Sequence, residues 1–264
     1  MANAVNFLKK SIIVITGASK GIGQTIAVGL ARNLSQNSIF VLIARSEKGL
    51  EETKKQIGEI DKGITVLTYV TDLSKPNLEV FVDIFNKVLN SIDSTAIEYG
   101  YVFHNAGSVG VIKETTELGD LQTWKDYYDL NLFSTVLLNN VFIQKIRPIA
   151  PQLVVVNITS LCGNKPFTNL SMYGSGKAAR QLFFKVLAVE QPNIIVLNYS
   201  PGPVKTEMFD SICDTADSKE LRDSFEKVRN TSVLTTNQTV EKMLEILEKG
   251  DFVSGDVIDY FDRV

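Results

Sequence analysis

The chain repeats one unit. A short run of β-branched and aromatic residues is followed by a helix-length segment, and the pair recurs from end to end. The runs are "SIIVITG" (11–17), "SIFVLIAR" (38–45), "ITVLTYVTD" (64–72), "YGYVFHNAG" (99–107), "QLVVVNITS" (152–160) and "NIIVLNYSPG" (193–202), with a last one, "VSGDVIDYF", near the C-terminus. Apolar residues occupy consecutive positions in these runs, so both faces of each strand must be covered. Strands alternating with helices give right-handed βαβ units and a mainly parallel sheet. The expected fold is α/β: a single-domain Rossmann-like, doubly wound parallel β-sheet with helices on both faces. All of residues 1–264 fit one such domain. Trp124–Ile146 and Ser171–Gln191 read as two long helices. Their "LLNNVFI" and "LFFKVLAV" stretches carry more apolar surface than one sheet face should cover, which predicts a homodimer. Residues 205–236 are polar and interrupted, with one helical-looking piece, "SKELRDSFEKV". A long insertion of this kind reads as a substrate lid.

Composition removes several function classes. The net charge is −3 and no Lys/Arg-rich block occurs, so nothing argues for nucleic acid or an anionic membrane as partner. No apolar run reaches the roughly 18 residues of a membrane span. The start "MANAVNFLKK" lacks a secretory apolar region, and the two cysteines, Cys162 and Cys213, make no disulfide framework; a reducing, cytoplasmic setting is expected. One histidine and two distant cysteines give no metal cluster, and His104 has no G-x-S-x-G elbow to serve.

The first run ends in glycines at spacing G-x-x-x-G-x-G: Gly17, Gly21 and Gly23, with Ser19, Lys20 and Ile22 between them. Strand, glycine turn and helix together present backbone N–H groups and a helix N-terminus to a pyrophosphate. The end of the second run then bears on the ribose. An NAD-type site places Asp or Glu there, but this chain has Ala44 and Arg45. Arg45 suits a 2′-phosphate, and Lys20 adds a second positive charge, so NADPH/NADP+ is expected over NADH. Asp72 and Leu73 end the third run, where the adenine would lie. Asn105, Ala106 and Gly107 end the fourth, beside the cofactor.

"YGSGK" puts Tyr173 and Lys177 at i and i+4, on one face of a helix. A lysine cation near a phenol lowers its pKa and makes it a proton donor to a developing alkoxide. Ser160 ends the fifth run, thirteen residues earlier, and could donate to a substrate carbonyl. Asn131, in "DLNLF", could hold a water that links Lys177 to solvent. "GSGK" is not a P-loop: no glycine precedes Gly176 at the required spacing, and Ala178 replaces Ser/Thr.

Glycine turn, "NAG", Ser160, Y-x-x-x-K and "PG" occur in this order over the whole chain. In this the sequence resembles the short-chain dehydrogenase/reductase family. "NAGSVG", "VVVNITSLCGNKPF", "YGSGKAARQLFF", "LNYSPGPVKTEM" and "SGDVIDYFD" resemble the branch that acts on pterins. The resemblance implies NADPH-dependent reduction of the side-chain carbonyls of 6-substituted pterins, sepiapterin and 6-pyruvoyl-tetrahydropterin among them, completing tetrahydrobiopterin synthesis, by a homodimer. It implies that Tyr173 is the acid, Ser160 the carbonyl polariser, Lys177 the ribose-binding and pKa-lowering residue, and Asn131 the end of the proton relay. Leu161, Cys162 and Gly202 would border the substrate. Val204, Thr206 and Met208 would lie against nicotinamide and diphosphate. Asp259 would grip the amino-pyrimidine edge, where a guanidine-like donor pair suits one carboxylate. His104 departs from the family, which often has Asn there; a lone His at a strand end is more often structural than catalytic. Two alternatives stay open: a general NADPH-dependent dicarbonyl or ketone reductase, and a non-catalytic NADP(H)-sensing protein.

Overall fold

A computed structural model describes residues 3–35, 37–61 and 63–262. Seven strands run parallel in one sheet: β1 (Ser11–Thr16), β2 (Ile39–Ala44), β3 (Thr65–Val70), β4 (Tyr99–His104), β5 (Gln152–Ile158), β6 (Ile194–Ser200) and β7 (Val257–Asp259). Their order is β3-β2-β1-β4-β5-β6-β7. The order reverses direction after β1, and a doubly wound sheet opens a crevice at such a switch, outside the carboxyl ends of its strands.

The helices are α1 (Gly21–Ala31), α2 (Glu47–Ile60), α3 (Leu78–Ser91), α4 (Leu121–Tyr128), α5 (Ser134–Ile146), α6 (Ser171–Glu190), α7 (Glu207–Thr215), α8 (Lys219–Thr231) and α9 (Thr236–Lys249). Successive strand residues point to opposite faces, and the two cores sort accordingly. Ile13, Ile15, Phe40 and Leu42 pack with Ile26 and Leu30 of α1 and Met243 and Leu247 of α9. Ile12, Val14, Val41 and Val155 pack with Phe85 of α3, Phe142 of α5 and Phe184 of α6. Every residue of β1 and β2 is buried, as the unbroken apolar runs require.

Two elements differ from the sequence reading. The segment 124–146 is not one regular helix. Between α4 and α5 a π-helical turn covers Asp129–Phe133. The widened turn lets the Asn131 amide reach back to the Tyr127 carbonyl at 2.9 Å, while its oxygen accepts from the Ser108 N–H at 2.9 Å. The backbone ladder continues there in the wider i→i+5 pattern, the Ser134 N–H donating to the Asp129 carbonyl. The segment 205–236 is also more regular than its composition suggested, since α7 and α8 form a hairpin. Thr206 and Ser218 cap these two helices through their hydroxyls. A third, smaller apolar cluster lies beneath the hairpin: Ile212, Ala216 and Leu221 pack with Val109, Ile112, Leu170 and Tyr173. Among the described residues no helix is long and apolar enough to cross a membrane.

Candidate active site

The carboxyl ends of the strands open into a groove of about 810 Å³. One end is polar and backbone-lined, formed by Gly17 to Ile22 and the ends of β2 and β4. The other is apolar, formed by Leu161, Phe167, Leu170, Phe209, Ile212, Phe225 and Phe261.

At the polar end the residues fit a dinucleotide. Gly17 has φ +68°, and a Cβ there would stand 2.8 Å from the Asn105 amide nitrogen. A Cβ on Gly23 would stand 2.3 Å from the Gly17 carbonyl oxygen. Helix and turn therefore touch backbone to backbone, and only glycine permits the approach. The helix N-terminus is left open, since Lys20 precedes α1 without a side-chain cap. Its N–H groups can take an anion. Gly23 supports the turn from behind and does not line the groove. Thr16 Oγ1 accepts from the N–H groups of Asn105 and Ala106, so the chain after β4 is pinned to the end of β1. Asn105 returns the tie by donating to the carbonyl of Thr16 at 3.0 Å.

Ser19, Lys20, Gly21, Ile22, Arg45, Leu73, Asn105, Ala106, Gly107, Val204, Thr206 and Met208 all line the groove. Asp72 stands apart from its lining. It accepts from the Ser74 hydroxyl at 2.8 Å, which lowers its pKa. Lys20 forms an ion pair with Glu207, the first residue of α7, across the groove mouth.

At the middle of the groove stand Ser160, Tyr173 and Lys177. Ser160 precedes a 3₁₀ turn, Leu161–Gly163, and its hydroxyl accepts from the Cys162 N–H at 3.2 Å. Tyr173 and Lys177 share a face of α6, with the Lys177 nitrogen 5.6 Å from the Tyr173 ring centroid. Burial pushes the Tyr173 phenol up to about 12, against downward pulls from a Ser160 hydrogen bond and the Arg180 cation. Lys177 is buried, and desolvation and Arg180 hold its pKa well below the ordinary lysine value. Its ammonium donates to the Ile158 carbonyl at 2.8 Å. The sequence expected Lys177 to lower the phenol's pKa; burial instead raises it, and the downward pulls come from Ser160 and Arg180. At neutral pH the phenol is protonated, the state in which it can donate. Asn131 lies behind this wall, buried, and bonds to Ser108 and Tyr127.

Leu161, Cys162 and Gly202 border the apolar end, and Asp259 enters from β7. Burial pushes the Cys162 thiol up. Asp259 Oδ2 accepts from the Ser200 hydroxyl at 2.5 Å, and Oδ1 from the Phe261 N–H at 3.1 Å. Each oxygen keeps a second lone pair. Among the described lining residues the carboxylates are Glu207, already paired with Lys20, and Asp259.

Arg180 and Gln181 were missed by the sequence reading. Both lie one turn beyond Lys177 on α6. Gln181 donates to the Thr159 hydroxyl at 2.6 Å and the Ser160 carbonyl at 3.3 Å, which sets the end of β5. The signal was their i+3 and i+4 spacing from Lys177.

A model of the short chain dehydrogenase family matches residues 11–217. The chain belongs to the short-chain dehydrogenase/reductase family. It is an oxidoreductase, and the cofactor of its family is a nicotinamide dinucleotide. It is 33% identical to the sepiapterin reductase of Bos taurus over 98% of this chain and 97% of that one. It is 29% identical to a benzil reductase ((S)-benzoin forming) of Bacillus subtilis, over 90% of this chain and 94% of that one. A crystal structure of a short chain dehydrogenase/reductase from Saccharomyces cerevisiae superposes with a TM-score of 0.80 at 27% identity, covering 96% of each chain.

Proposed function

We propose that this reductase uses NADPH to reduce side-chain carbonyls of 6-substituted pterins such as sepiapterin and 6-pyruvoyl-tetrahydropterin, in tetrahydrobiopterin synthesis. The observation that carries the reading is Asp259: one unpaired-by-cation carboxylate stands in the wall of an otherwise apolar substrate end. A pterin has an aromatic body for that end and an N–H pair for the carboxylate. The likeness to a sepiapterin reductase supports the same substrate class.

The placement of these residues supports the following roles. Gly17 to Ile22 and the open start of α1 would hold the diphosphate. Arg45 and Lys20 would meet the 2′-phosphate, Lys20 exchanging its Glu207 partner for it. Val204, Thr206 and Met208 would close over that end, with residues 205–236 as the lid. When bound, the reduced nicotinamide supplies a hydride to the carbonyl carbon. Ser160 donates a hydrogen bond to the carbonyl oxygen, Tyr173 gives it a proton, and Lys177 and Asn131 stand on the path by which the phenol is reprotonated. Low-dielectric surroundings strengthen these polar contacts.

The apolar end and the likeness to a benzil reductase favour a second reading, a general dicarbonyl reductase. Side-by-side kcat/KM for sepiapterin and benzil, with NADPH and with NADH, separates the two. Asp259→Asn is expected to raise KM for sepiapterin by about 10- to 100-fold, the worth of a charge-assisted hydrogen bond, and to leave benzil unchanged. Equal effects on both would remove the pterin anchor. Faster turnover with NADH would remove the role given to Arg45.

A further inference from the structure

Arg180 is completely buried, yet no carboxylate pairs with it among the described residues. Its guanidinium instead reaches three neutral oxygens: Nε donates to Asn157 Oδ1 at 3.0 Å, Nη1 to the Ala106 carbonyl at 3.1 Å, and Nη2 to the His104 carbonyl at 2.7 Å. A buried cation is costly, and its retention in such a place calls for a reason. Its position supplies one. Tyr173, Lys177 and Arg180 lie at i, i+4 and i+7, so they form one stripe along α6. The oxygens that Arg180 holds belong to β5 and to the end of β4, and Ala106 lines the cofactor end of the groove.

Beyond Asn157 the contacts continue across the sheet. Asn157 Nδ2 donates to Asn198 Oδ1 at 2.9 Å, and Asn198 Nδ2 to the Gly255 carbonyl at 3.1 Å. Gly255 leads into β7, which carries Asp259. A buried ladder of side chains thus runs from the cofactor end of the groove, past the helix of the phenol, to the strand with the substrate-side carboxylate.

We propose that Arg180 is a positioning residue: its buried fork fixes the helix that carries Tyr173 against the chain after β4, and so sets the distance between phenol and nicotinamide. The inference rests on the cofactor placement given above and is independent of the pterin. Arg180→Lys keeps the charge but offers one nitrogen where the fork reaches three oxygens. Asn157→Ala removes one of those oxygens.

The test uses the full-length protein with NADPH and its 4-deuterated form, and any carbonyl that the wild type reduces. Arg180→Lys is expected to lower kcat about 10-fold while NADPH affinity stays near wild type, since small misplacements at a reacting centre cost rate more than binding; its melting temperature falls, because buried oxygens lose their donors. The deuterium isotope effect on kcat is expected to rise, because hydride transfer becomes more rate-limiting. Asn157→Ala should show a smaller change in the same sense. Wild-type kcat and isotope effect in Arg180→Lys would overturn the proposal. So would a loss of NADPH affinity in step with kcat, which marks a purely structural residue. If the wild type reduces no carbonyl, the functional reading falls, and Arg180 is judged on the emission of bound NADPH. A shifted maximum in Arg180→Lys supports the positioning role, and an unchanged one overturns it.

Discussion

Tyr173 holds its phenol where ionisation is costly, and the cost suits a proton donor. With a pKa pushed up to about 12, it is protonated throughout the neutral range. Tyr173→Phe is therefore expected to cut kcat by about 10²- to 10⁴-fold, the usual worth of a positioned acid, while NADPH binding changes by less than about threefold. Stopped-flow turnover and fluorescence titration measure the two; retained turnover would remove Tyr173 as the donor. His104 shows the opposite use of burial. Its ring is sealed between Phe184, at 5.2 Å centroid separation, and Asn139, whose oxygen lies 3.2 Å from Nε2, and Nδ1 has no partner among the described residues. Burial, with Arg180 nearby, holds its pKa down to about 3 against an ordinary 6.5. Above pH 6.5 both folded and unfolded chains carry it neutral. Below that, the unfolded chain takes a proton that the folded chain refuses, so stability falls as pH drops from 6.5 toward 3, by at most about 1.4 kcal/mol per pH unit. His104→Asn should flatten this part of the profile. Urea unfolding at neutral and mildly acidic pH checks it, and equal acid losses in both proteins would refute the assignment. The ring is a structural group with a pH signature.

The inner strands β1, β2, β4 and β5 were legible because their apolar runs suit a sheet covered on both faces, and β3, at the sheet edge and exposed at both ends, was legible from its β-branched and aromatic residues. The glycine turn and Y-x-x-x-K were legible because backbone contact and one-face spacing are short-range. Two elements were not. The π turn at Asp129–Phe133 depends on Ser108, a residue distant in sequence whose N–H draws the Asn131 oxygen out of register. Nothing in "DLNLF" alone records that partner. Helix α7 is nine residues long and reads as loop because its apolar residues face a cluster assembled from four separate segments. Such a helix depends on its cap and on that cluster more than on propensity. Thr206 accepts from the Phe209 N–H at 3.3 Å. Thr206→Ala is expected to cost α7 about 1 kcal/mol, which makes its amides exchange about fivefold faster while sheet amides are unchanged. Hydrogen exchange resolved by segment reads this directly. A uniform acceleration would mean that α7 opens only with the whole molecule. Arg180 was missed for a related reason: a charged residue on a helix is read as solvated, and only the three-dimensional meeting of α6 with β4 and β5 buries it.

Parallel topology places every catalytic candidate at one edge of the sheet. Gly17 follows β1, Arg45 follows β2, Asn105 follows β4, Ser160 follows β5, Gly202 follows β6, and Asp259 ends β7, so along the sheet edge the motifs stand in the order Arg45, Gly17, Asn105, Ser160, Gly202, Asp259. Tyr173 and Lys177 join that row from a helix start, which the β5–α6 connection brings back over the groove. The side of α6 away from the sheet remains unexplained by this architecture. Leu182 is 64%, Val186 45% and Val189 83% exposed, and their i, i+4, i+7 spacing makes one apolar stripe. On α5, Leu138, Val141 and Phe142 are buried in the core, so the surplus that the sequence suggested on both helices is concentrated on α6. A stripe on one long helix can meet its own copy across a two-fold axis, each copy covering the other's surplus. We expect a homodimer built on this face. Light scattering should give a mass near twice that of the chain, and Val189→Asp, which puts two like charges close to the axis, should shift it toward the monomer while leaving far-ultraviolet dichroism unchanged. A monomeric wild type would leave the stripe as bare surface and remove the dimer from this account. Because α6 also carries Tyr173, the same variant tests whether the helix needs its partner to hold the phenol in place: a monomer with undiminished kcat shows that the groove is complete within one chain.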